Sequence, residues 1–317
     1  MKPNHTQPSL IELEHVGKVY NGVAVLEEVS MSIKAGSATA ILGRNGSGKS
    51  TLLSILAGLI QINSGRLYRK NKAMKIGYAP EIFPGLKFTP EEFLRSVGSL
   101  HGLNSLEIDH RMTELLACFR LESFGKRPME SFSKGMLQKV NLMQSMLIRP
   151  PLLLLDEPMS GLDTPAQDTL LELVHGMKRE GTAIVFSVHD PLWIEELADD
   201  VHVLKAGRKL RSINRSELHS SSYSKIGFKG IPVDNHTQLE LMTGYISLIL
   251  TNEQMGIDYN SESNDTAMIT VQSALSDSFL RSILDAGGSI LSVERIGGLT
   301  GLELGLTLKD DRKRGAE

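Results

Sequence analysis

The sequence predicts an α/β protein in which helices cover a mainly parallel sheet. The apolar run Ala38–Leu42 is followed by a glycine-rich loop and then by a helical pattern at residues 50–60. Two further apolar runs, Leu152–Asp156 and residues 182–188, have the length of buried strands, and a helical pattern at 164–178 separates them. Buried strands that alternate with helices are typical of parallel sheets with both faces covered.

Short strands are predicted before and after the glycine-rich loop. Residues 11–16 and 31–33 have strand composition, and an Asn21-Gly22 pair between them indicates a tight turn. Residues 66–68 and 75–78 are predicted as two further short strands. These strands precede the long helical part of the chain.

The middle of the chain has helical periodicity. From about residue 89 to 131, apolar residues recur at spacings of three and four, which predicts amphipathic helices. A further helix begins near Ser133 or Lys134 and continues to Ile148, where the sequence Arg149-Pro150-Pro151 ends it. We expect a helical subdomain at about 89–149.

The composition changes after residue 215. Residues 216–226 are rich in serine, which predicts a linker, and residues 227–317 predict a small α+β domain. Within that domain we expect a strand at 267–272, a helix at 277–286 and a strand at 289–293. The nucleotide-binding domain described below is expected to cover residues 10–215.

Composition limits the classes of function. The chain has 317 residues and a net charge of -3, so it lacks the basic excess that usually marks a nucleic-acid-binding protein. Its one cysteine, Cys118, excludes an internal disulfide. No apolar run reaches the length of about 18 residues that spans a bilayer. We therefore expect a cytoplasmic protein with no nucleic-acid partner.

The glycine-rich loop fits the phosphate-binding pattern G-x-x-x-x-G-K-[ST]. Its glycines allow a tight turn whose N–H groups point at a polyphosphate, and the following helix presents its positive end to the same anion. The lysine can reach the β- and γ-phosphates, and the first hydroxyl after it can bind Mg²⁺. The residues predicted to contact ATP are Gly43, Asn45, Gly46, Ser47, Gly48, Lys49, Ser50 and Thr51.

Two carboxylates end the apolar run at 152–156. In a parallel sheet, ligands bind at the carboxyl ends of the strands, where Asp156 and Glu157 would lie. We expect Asp156 to hold Mg²⁺ and Glu157 to polarise the attacking water as general base.

These two motifs belong to a longer ordered set that resembles the ATP-binding cassette (ABC) ATPases. The sequence Asp156-Glu157-Pro158-Met159-Ser160-Gly161-Leu162-Asp163 looks like the family's second nucleotide motif and D-loop. Residues 78–81 resemble its Q-loop, and residues 132–136, with Gln138, resemble its signature sequence LSGGQ. Tyr20 and His189 stand where the family has its adenine-stacking aromatic residue and its switch histidine.

The resemblance implies a P-loop NTPase fold with a mixed sheet, a helical subdomain and a small α+β appendage. It also assigns roles: Tyr20 stacks on adenine or is only a half-buried tyrosine, and His189 orients the γ-phosphate. Ser133 caps a helix and, with Gly135, would contact the ATP of a second subunit, and Asp163 would link the two sites. The implied ligands are ATP and Mg²⁺.

Two positions depart from the family pattern. Glu81 stands where the family has glutamine; it could hold Mg²⁺, but it lacks the amide donor and adds negative charge. Lys134 replaces the first glycine of the signature and Met136 its glutamine. Lys134 could make a charge-assisted contact or could simply be solvated.

The resemblance also implies partners. Expected are a second copy of the chain or a homologous ATPase subunit, and a separate transmembrane permease, which places the protein on the cytoplasmic face of the cell membrane. The family's exporters are favoured over its importers. The alternative is a soluble ABC ATPase that remodels nucleic acid, ribosomes or a protein complex, and residues 227–317 could be a regulatory or dimerising module.

Overall fold

The computed structural model describes residues 9–188, 191–215, 223–229, 266–272, 276–285 and 287–296. The chain divides into two compact units, Met1–Asn214 and Arg215–Glu317. The described strands are β1 Ser9–Tyr20, β2 Val23–Lys34, β3 Ala38–Leu42, β4 Ser64–Arg69, β5 Ile76–Ala79, β6 Leu152–Asp156, β7 Ala183–Ser187, β8 Asp200–Lys205, β9 Arg208–Asn214, β10 Tyr223–Lys229, β11 Thr266–Gln272 and β12 Ser289–Ile296. The helices are α1 Lys49–Ala57, α2 Pro90–Leu100, α3 Ser105–Cys118, α4 Lys134–Met146, α5 Thr164–Arg179, α6 Pro191–Leu197 and α7 Ser276–Asp285.

The central sheet of the first unit has six strands in the order β5-β6-β7-β3-β8-β9. The pairs from β5 to β8 are parallel, and β9 is antiparallel to β8, so the sheet is mixed, as the sequence predicted. Every residue of β3, β6 and β7 is buried, which explains their continuous apolar sequences. Because β3, β5, β6 and β7 are parallel, their carboxyl ends lie at the same edge of the central sheet.

A second, antiparallel sheet has the order β2-β1-β4. The predicted Asn21-Gly22 turn joins β1 and β2, with Tyr20 opposite Val23, and both turn residues have positive φ. The buried faces of β1 and β2 share one hydrophobic core with α1, β6 and β7. This sheet is thereby fixed beside the glycine-rich loop.

The helices follow the predicted pattern, with different ends. Helix α1 ends at Ala57 rather than near residue 60, because Gly58 adopts a left-handed conformation with φ 81° and caps it. The helical stretch predicted at 89–131 contains two α-helices, α2 and α3, and two short 3₁₀ helices, Glu122–Phe124 and Met129–Ser131. Each α-helix begins with a capping box, at Thr89 and Asn104. Asp163 caps α5.

Three elements after β7 were not predicted from the sequence: α6, β8 and β9. The last two form an antiparallel hairpin around Ala206 and Gly207. Strand β10 begins at Tyr223, so the last residues of the stretch predicted as a linker lie in a strand. A serine-rich composition does not by itself show where such a stretch becomes extended.

The second unit is described through β10, α7, β11 and β12. Its strands form an antiparallel sheet in the order β11-β10-β12, and Ile226, Phe279 and Ile283 are buried. Strand β11, α7 and β12 lie where the sequence predicted two strands and a helix, and no end differs by more than three residues. Among the described residues, no helix has both the length and the apolar character that crossing a bilayer requires.

Candidate functional site

The glycine-rich loop connects β3 to α1 and has a conformation that requires glycine at its last position. Gly48 has φ 101°, and a Cβ atom there would lie 2.6 Å from Leu26 Cδ2 and 2.9 Å from the Val25 carbonyl oxygen. Strand β2 therefore packs directly against the start of α1. The N–H groups at the start of α1 lack intrahelical acceptors, which suits an anion at this position.

Lys49 joins the loop to the second carboxylate. It is the first residue of α1 and is buried, with only 6% of its surface exposed. Its Nζ donates to the Gly43 carbonyl oxygen at 2.8 Å and lies 3.5 Å from Glu157 Oε1. The structure thus brings together a cation and a carboxylate that are more than a hundred residues apart in sequence.

The loop is also held from the side of the β8–β9 hairpin. The Gly207 N–H donates to the Ser47 carbonyl oxygen at 3.2 Å, and the Glu27 N–H donates to the Gly207 carbonyl oxygen at 2.8 Å. Arg208 Nε donates to Glu27 Oε2 at 2.8 Å. The buried Ser47 Oγ has no hydrogen-bond partner among the described residues, so a hydroxyl at the loop is available to a ligand oxygen.

The two carboxylates lie at the end of β6, Asp156 as its last residue and Glu157 directly after it, and they are linked by a serine that sequence reasoning missed. Ser187, at the end of β7, pairs with Asp156 in the parallel register. Its hydroxyl donates to Asp156 Oδ1 at 2.6 Å and accepts from the Glu157 N–H at 2.9 Å. Asp156 is 1% exposed, whereas Glu157 has φ 48° and a side chain 17% exposed. The serine therefore holds the Asp156 carboxylate and the backbone of Glu157.

The residues predicted to bind Mg²⁺ lie on elements that meet at one edge of the sheet. Ser50 is in the first turn of α1, Asp156 ends β6, and Glu81 follows β5, which pairs with β6. Ser50 and Glu81 are exposed, and Thr51 is half-buried beside Ser50. A hydroxyl and two carboxylates are oxygen donors of the kind that Mg²⁺ prefers, so the set fits this ion.

The aromatic residue predicted to stack on adenine lies at the end of β1. Tyr20 is 41% exposed, and the Lys18 ammonium lies 4.9 Å from its ring centre. Lys18 Nζ also donates to the Gln61 carbonyl oxygen. The ring is therefore placed beside the Asn21-Gly22 turn by a neighbouring cation, and its stacking on adenine stays a prediction.

The signature and D-loop residues cap two helices. The Ser133 hydroxyl accepts from the Met136 N–H at 3.3 Å and caps α4. Asp163 Oδ1 accepts from the Ala166 N–H at 3.0 Å and caps α5, with a side chain 65% exposed. Both residues have local structural roles, and the predicted contacts with a second subunit remain predictions.

The predicted switch histidine, His189, lies outside the described residues. Strand β7 ends at Ser187, and Val188 is buried just before it. The strand therefore runs toward the same edge as Asp156.

A row of three amides on α4, of which Gln138 and Asn141 are buried and Gln144 is half-buried, was not predicted. Gln138, Asn141 and Gln144 lie on one face of the helix, and Asn141 is completely buried. Their amide nitrogens donate in that order to the carbonyl oxygens of Pro158, Pro80 and Tyr78, at 3.1, 2.7 and 2.6 Å. The available signal was three amide side chains at a spacing of three residues along the helix. One helix thus holds both the Glu81 loop and the D-loop, here residues 158–163.

Burial perturbs one titratable group at this edge. Burial raises the pKa of the Tyr78 phenol above its usual value; the Ser54 hydroxyl acts in the opposite direction, and the Asp156 charge adds a smaller rise. The Tyr78 hydroxyl lies 3.4 Å from Ser54 Oγ on α1. The phenol therefore acts as a neutral hydrogen-bonding group between β5 and α1.

The comparisons with known proteins agree with this geometry. The family model of ABC transporters matches residues 26–160. An uncharacterized ABC transporter ATP-binding protein, YhaQ of Bacillus subtilis (strain 168), is 30% identical over 65% of this chain and 74% of its own length. The linearmycin resistance ATP-binding protein LnrL of the same organism is 29% identical, over 67% and 71%. The cobalt import ATP-binding protein CbiO of Rhodobacter capsulatus is 33% identical, over 60% and 72%.

Solved structures give the same result. The ATP-binding subunit of an ABC transporter is 33% identical, with a TM-score of 0.62 over 67% of this chain and 92% of the solved one. A dimeric bacterial ABC transporter cassette is 25% identical, with a TM-score of 0.59 over 65% and 98%. The predicted fold class, a P-loop NTPase of the ABC type, is therefore confirmed.

Proposed function

Because the chain belongs to the ABC transporter ATP-binding proteins, which are ATPases, we propose that it drives a permease that is a separate membrane chain. The permease is proposed from the family, and the observation that carries ATP hydrolysis is the position of the Lys49 amino group, between the Gly43 carbonyl and the Glu157 carboxylate. It joins a phosphate-binding loop to a carboxylate that can act on water, which are the two parts that hydrolysis of a γ-phosphate requires.

Each residue of the site has a role in this proposal. The loop from Gly43 to Thr51 and the N-terminus of α1 bind the phosphates, and Lys49 neutralises charge on the transferred group. Glu157 accepts the proton of the attacking water, and Ser187 holds its backbone in place. His189 orients the γ-phosphate.

The site would hold Mg²⁺ through Ser50, Asp156 and Glu81, and the ion would offset negative charge on the phosphates. The buried Asp156 is fixed by the Ser187 hydroxyl, so its remaining oxygen has a set direction before any ligand binds. Glu81 is exposed, and its charge distinguishes it from the glutamine that the family usually has at this position.

The site is completed by a second ATPase subunit. We propose that Ser133 and Gly135 of one copy close over the γ-phosphate bound by another, with Asp163 between the two sites. The solved dimeric cassette that is similar to this chain supports such an arrangement. A head-to-tail pair with two-fold symmetry would contain two working sites from one kind of chain.

The direction of transport is proposed as export. The sequence Tyr-Ala-Pro-Glu at 78–81 and the signature Ser-Lys-Gly-Met at 133–136 resemble those of exporter-type ATPases. Of two relatives at similar identity, one is named for linearmycin resistance and the other for cobalt import. The comparisons therefore support transport in general, and export rests on the two motifs.

Turnover of ATP tests the assignment of the site. Glu157→Gln should keep ATP binding and lower hydrolysis at least about a hundredfold, as expected when a general base is lost. Lys49→Ala should instead lose ATP affinity in a titration. Glu172→Gln, an exposed change on α5, is the matched control and should hydrolyse ATP like the parent. Near-parental hydrolysis by Glu157→Gln would reject the assignment of Glu157.

A further inference from the structure

We propose that Lys134 is a positioning residue, which fastens the D-loop to the first turn of α4 and so fixes the face that meets the second subunit. The inference rests on the proposed function for the meaning of that face. Lys134 occupies a signature position at which the resembled family has glycine, and a glycine has no side chain that could make this connection.

The side chain of Lys134 lies against two residues of the D-loop, Ser160 and Gly161. Its Nζ donates to Ser160 Oγ at 2.9 Å. Its stem crosses Gly161, where a Cβ atom would lie 3.3 to 3.6 Å from Lys134 Cγ, Cδ and Cε. Gly161 has φ 80°, a conformation that glycine adopts readily, so the loop turns where the lysine covers it. The ammonium is therefore neither simply solvated nor directed at the chain's own phosphate-binding loop.

Three further contacts join the same two elements. A Cβ atom on Gly135 would lie 2.5 Å from the Gly161 carbonyl oxygen, so these backbones meet directly. Gln138 Nε2 donates to the Pro158 carbonyl oxygen at 3.1 Å, and Lys139 Nζ lies 3.8 Å from Asp163 Oδ2. These contacts form a seam between the start of α4 and the D-loop. The bond from Lys134 to Ser160 adds a side-chain connection at the outer end of this seam.

This seam has a functional consequence in the proposed dimer. Ser133 and Gly135 stand at one side of it and Asp163 at the other, and these are the residues expected to face the second subunit. If the D-loop is already ordered in the single subunit, association has less conformational freedom to remove. Loss of the Lys134 connection should therefore weaken association and leave ATP binding by one subunit unchanged.

The connection itself can be tested without nucleotide. Hydrogen exchange should be measured at the Ser160 and Leu162 amides, which donate to the Glu157 and Met159 carbonyl oxygens. Lys134→Met keeps most of the stem and removes the amino group, and Ser160→Ala removes its acceptor. We expect either change to speed exchange about threefold or more, and the double variant to match the single ones. Unchanged exchange in Lys134→Met would overturn the inference.

Association tests the consequence. Self-association is measured by sedimentation in the Glu157→Gln protein with ATP and Mg²⁺. We expect Lys134→Met and Ser160→Ala each to weaken it about three- to tenfold, and the double variant to associate no more weakly than either single variant. Lys134→Arg should retain part of the self-association that Lys134→Met loses. In all these variants the thermal midpoint and the ATP affinity of the single subunit should equal those of the parent.

The two measurements separate the inference from the proposed function. If Lys134→Met weakens association and Ser160→Ala does not, the lysine acts on the second subunit's ATP and the inference is wrong. If the parent fails to self-associate with ATP, the proposed dimer is wrong, and the exchange rates still decide whether Lys134 holds the D-loop.

Discussion

The Ser187 hydroxyl shows how one residue can fix the geometry of a site. It is completely buried, and it bonds both to Asp156 and to the backbone of Glu157. Removing this hydroxyl would therefore leave two groups at once without a hydrogen-bond partner. Each buried polar group left without a partner costs about 1–3 kcal/mol in the free energy of unfolding. The same hydroxyl thus holds one oxygen of Asp156, the acid proposed to bind the ion, and the backbone of Glu157, the acid proposed to activate water.

Ser187→Ala should therefore lower both stability and turnover. We expect a loss of about 2 kcal/mol in the free energy of unfolding and roughly a tenfold drop in ATP hydrolysis, since a small misplacement of a general base is costly. Chemical denaturation and a phosphate-release assay measure the two effects. Ser145→Ala is the matched control, because Ser145 is equally buried but bonds only to the Leu142 carbonyl oxygen.

For this prediction, parental turnover in Ser187→Ala would show that the hydroxyl is dispensable for positioning Glu157. A loss in Ser145→Ala as large as that in Ser187→Ala would show that the stability effect is not specific to the site.

At the residue scale, the sequence indicated the candidate catalytic and ion-binding residues, but not the residues that contact them in the structure. Asp156 and Glu157 were recognisable because they end an apolar strand. Ser187 was not, since its contact depends on the register of β6 against β7, which no local pattern shows. Gly207 contacts Ser47 across the hairpin that the sequence did not predict.

Helix α4 shows the corresponding point at the scale of an element. Its amide row is a connected set, because Asn141 Nδ2 also donates to Gln138 Oε1 at 3.2 Å and Gln144 Nε2 lies 3.4 Å from Asn141 Oδ1. The row connects the segment before Glu81 with the D-loop through one helix. Buried polar networks of this kind are rigid when every group has a partner.

Asn141→Leu should be strongly destabilising for this reason. The change leaves the Pro80 carbonyl and two glutamine amides short of partners, so we expect a loss of about 2–3 kcal/mol in the free energy of unfolding. Thr113→Leu, an exposed change on α3, should stay within about 0.5 kcal/mol of the parent. Equal stability of the two variants in urea would contradict a structural role for the row.

A buried histidine of strand β8, His202, should make the free energy of unfolding depend on pH. Burial, with a smaller effect from the Lys209 charge, lowers the pKa of His202 to about 4. The unfolded chain has a histidine pKa of about 6.5, so between these values the unfolded state binds more protons. Stability should therefore fall as the pH is lowered from about 6.5 to about 4, by ~3 kcal/mol from this residue alone.

Denaturation at several pH values measures this contribution. His202→Gln should show a shallower decline between about pH 6.5 and pH 4, because the titrating group that faces Ser212 is gone. His110→Gln removes an exposed histidine of α3 and should keep the parental slope. A slope that is the same in His202→Gln and the parent would show that His202 does not titrate as described.

At this scale the sequence predicted the buried strands β3, β6 and β7, because continuous apolar runs identify them. It missed β8 and β9, whose polar and charged residues alternate irregularly with apolar ones, and it extended α1 past Gly58. The capping glycine was visible in the sequence, and the apolar residues Leu59 and Ile60 after it concealed the helix end.

For the whole molecule, the class of fold and the family followed from the order of motifs along the first unit. The contacts between motifs did not, since the seam between α4 and the D-loop depends on where the helical subdomain packs. The second unit, Arg215–Glu317, has no motif of its own, and its regulatory or dimerising role is still a proposal.

The association with a membrane permease is the central claim. The test is to express the tagged Glu157→Gln protein in its native cell, add ATP and purify it from detergent-solubilised membranes. We predict that a polytopic membrane protein of about six or more spans copurifies in stoichiometric amount, and that its identity gives the permease. Recovery only from the soluble fraction, alone or with nucleic acid or ribosomes, would contradict the transporter function.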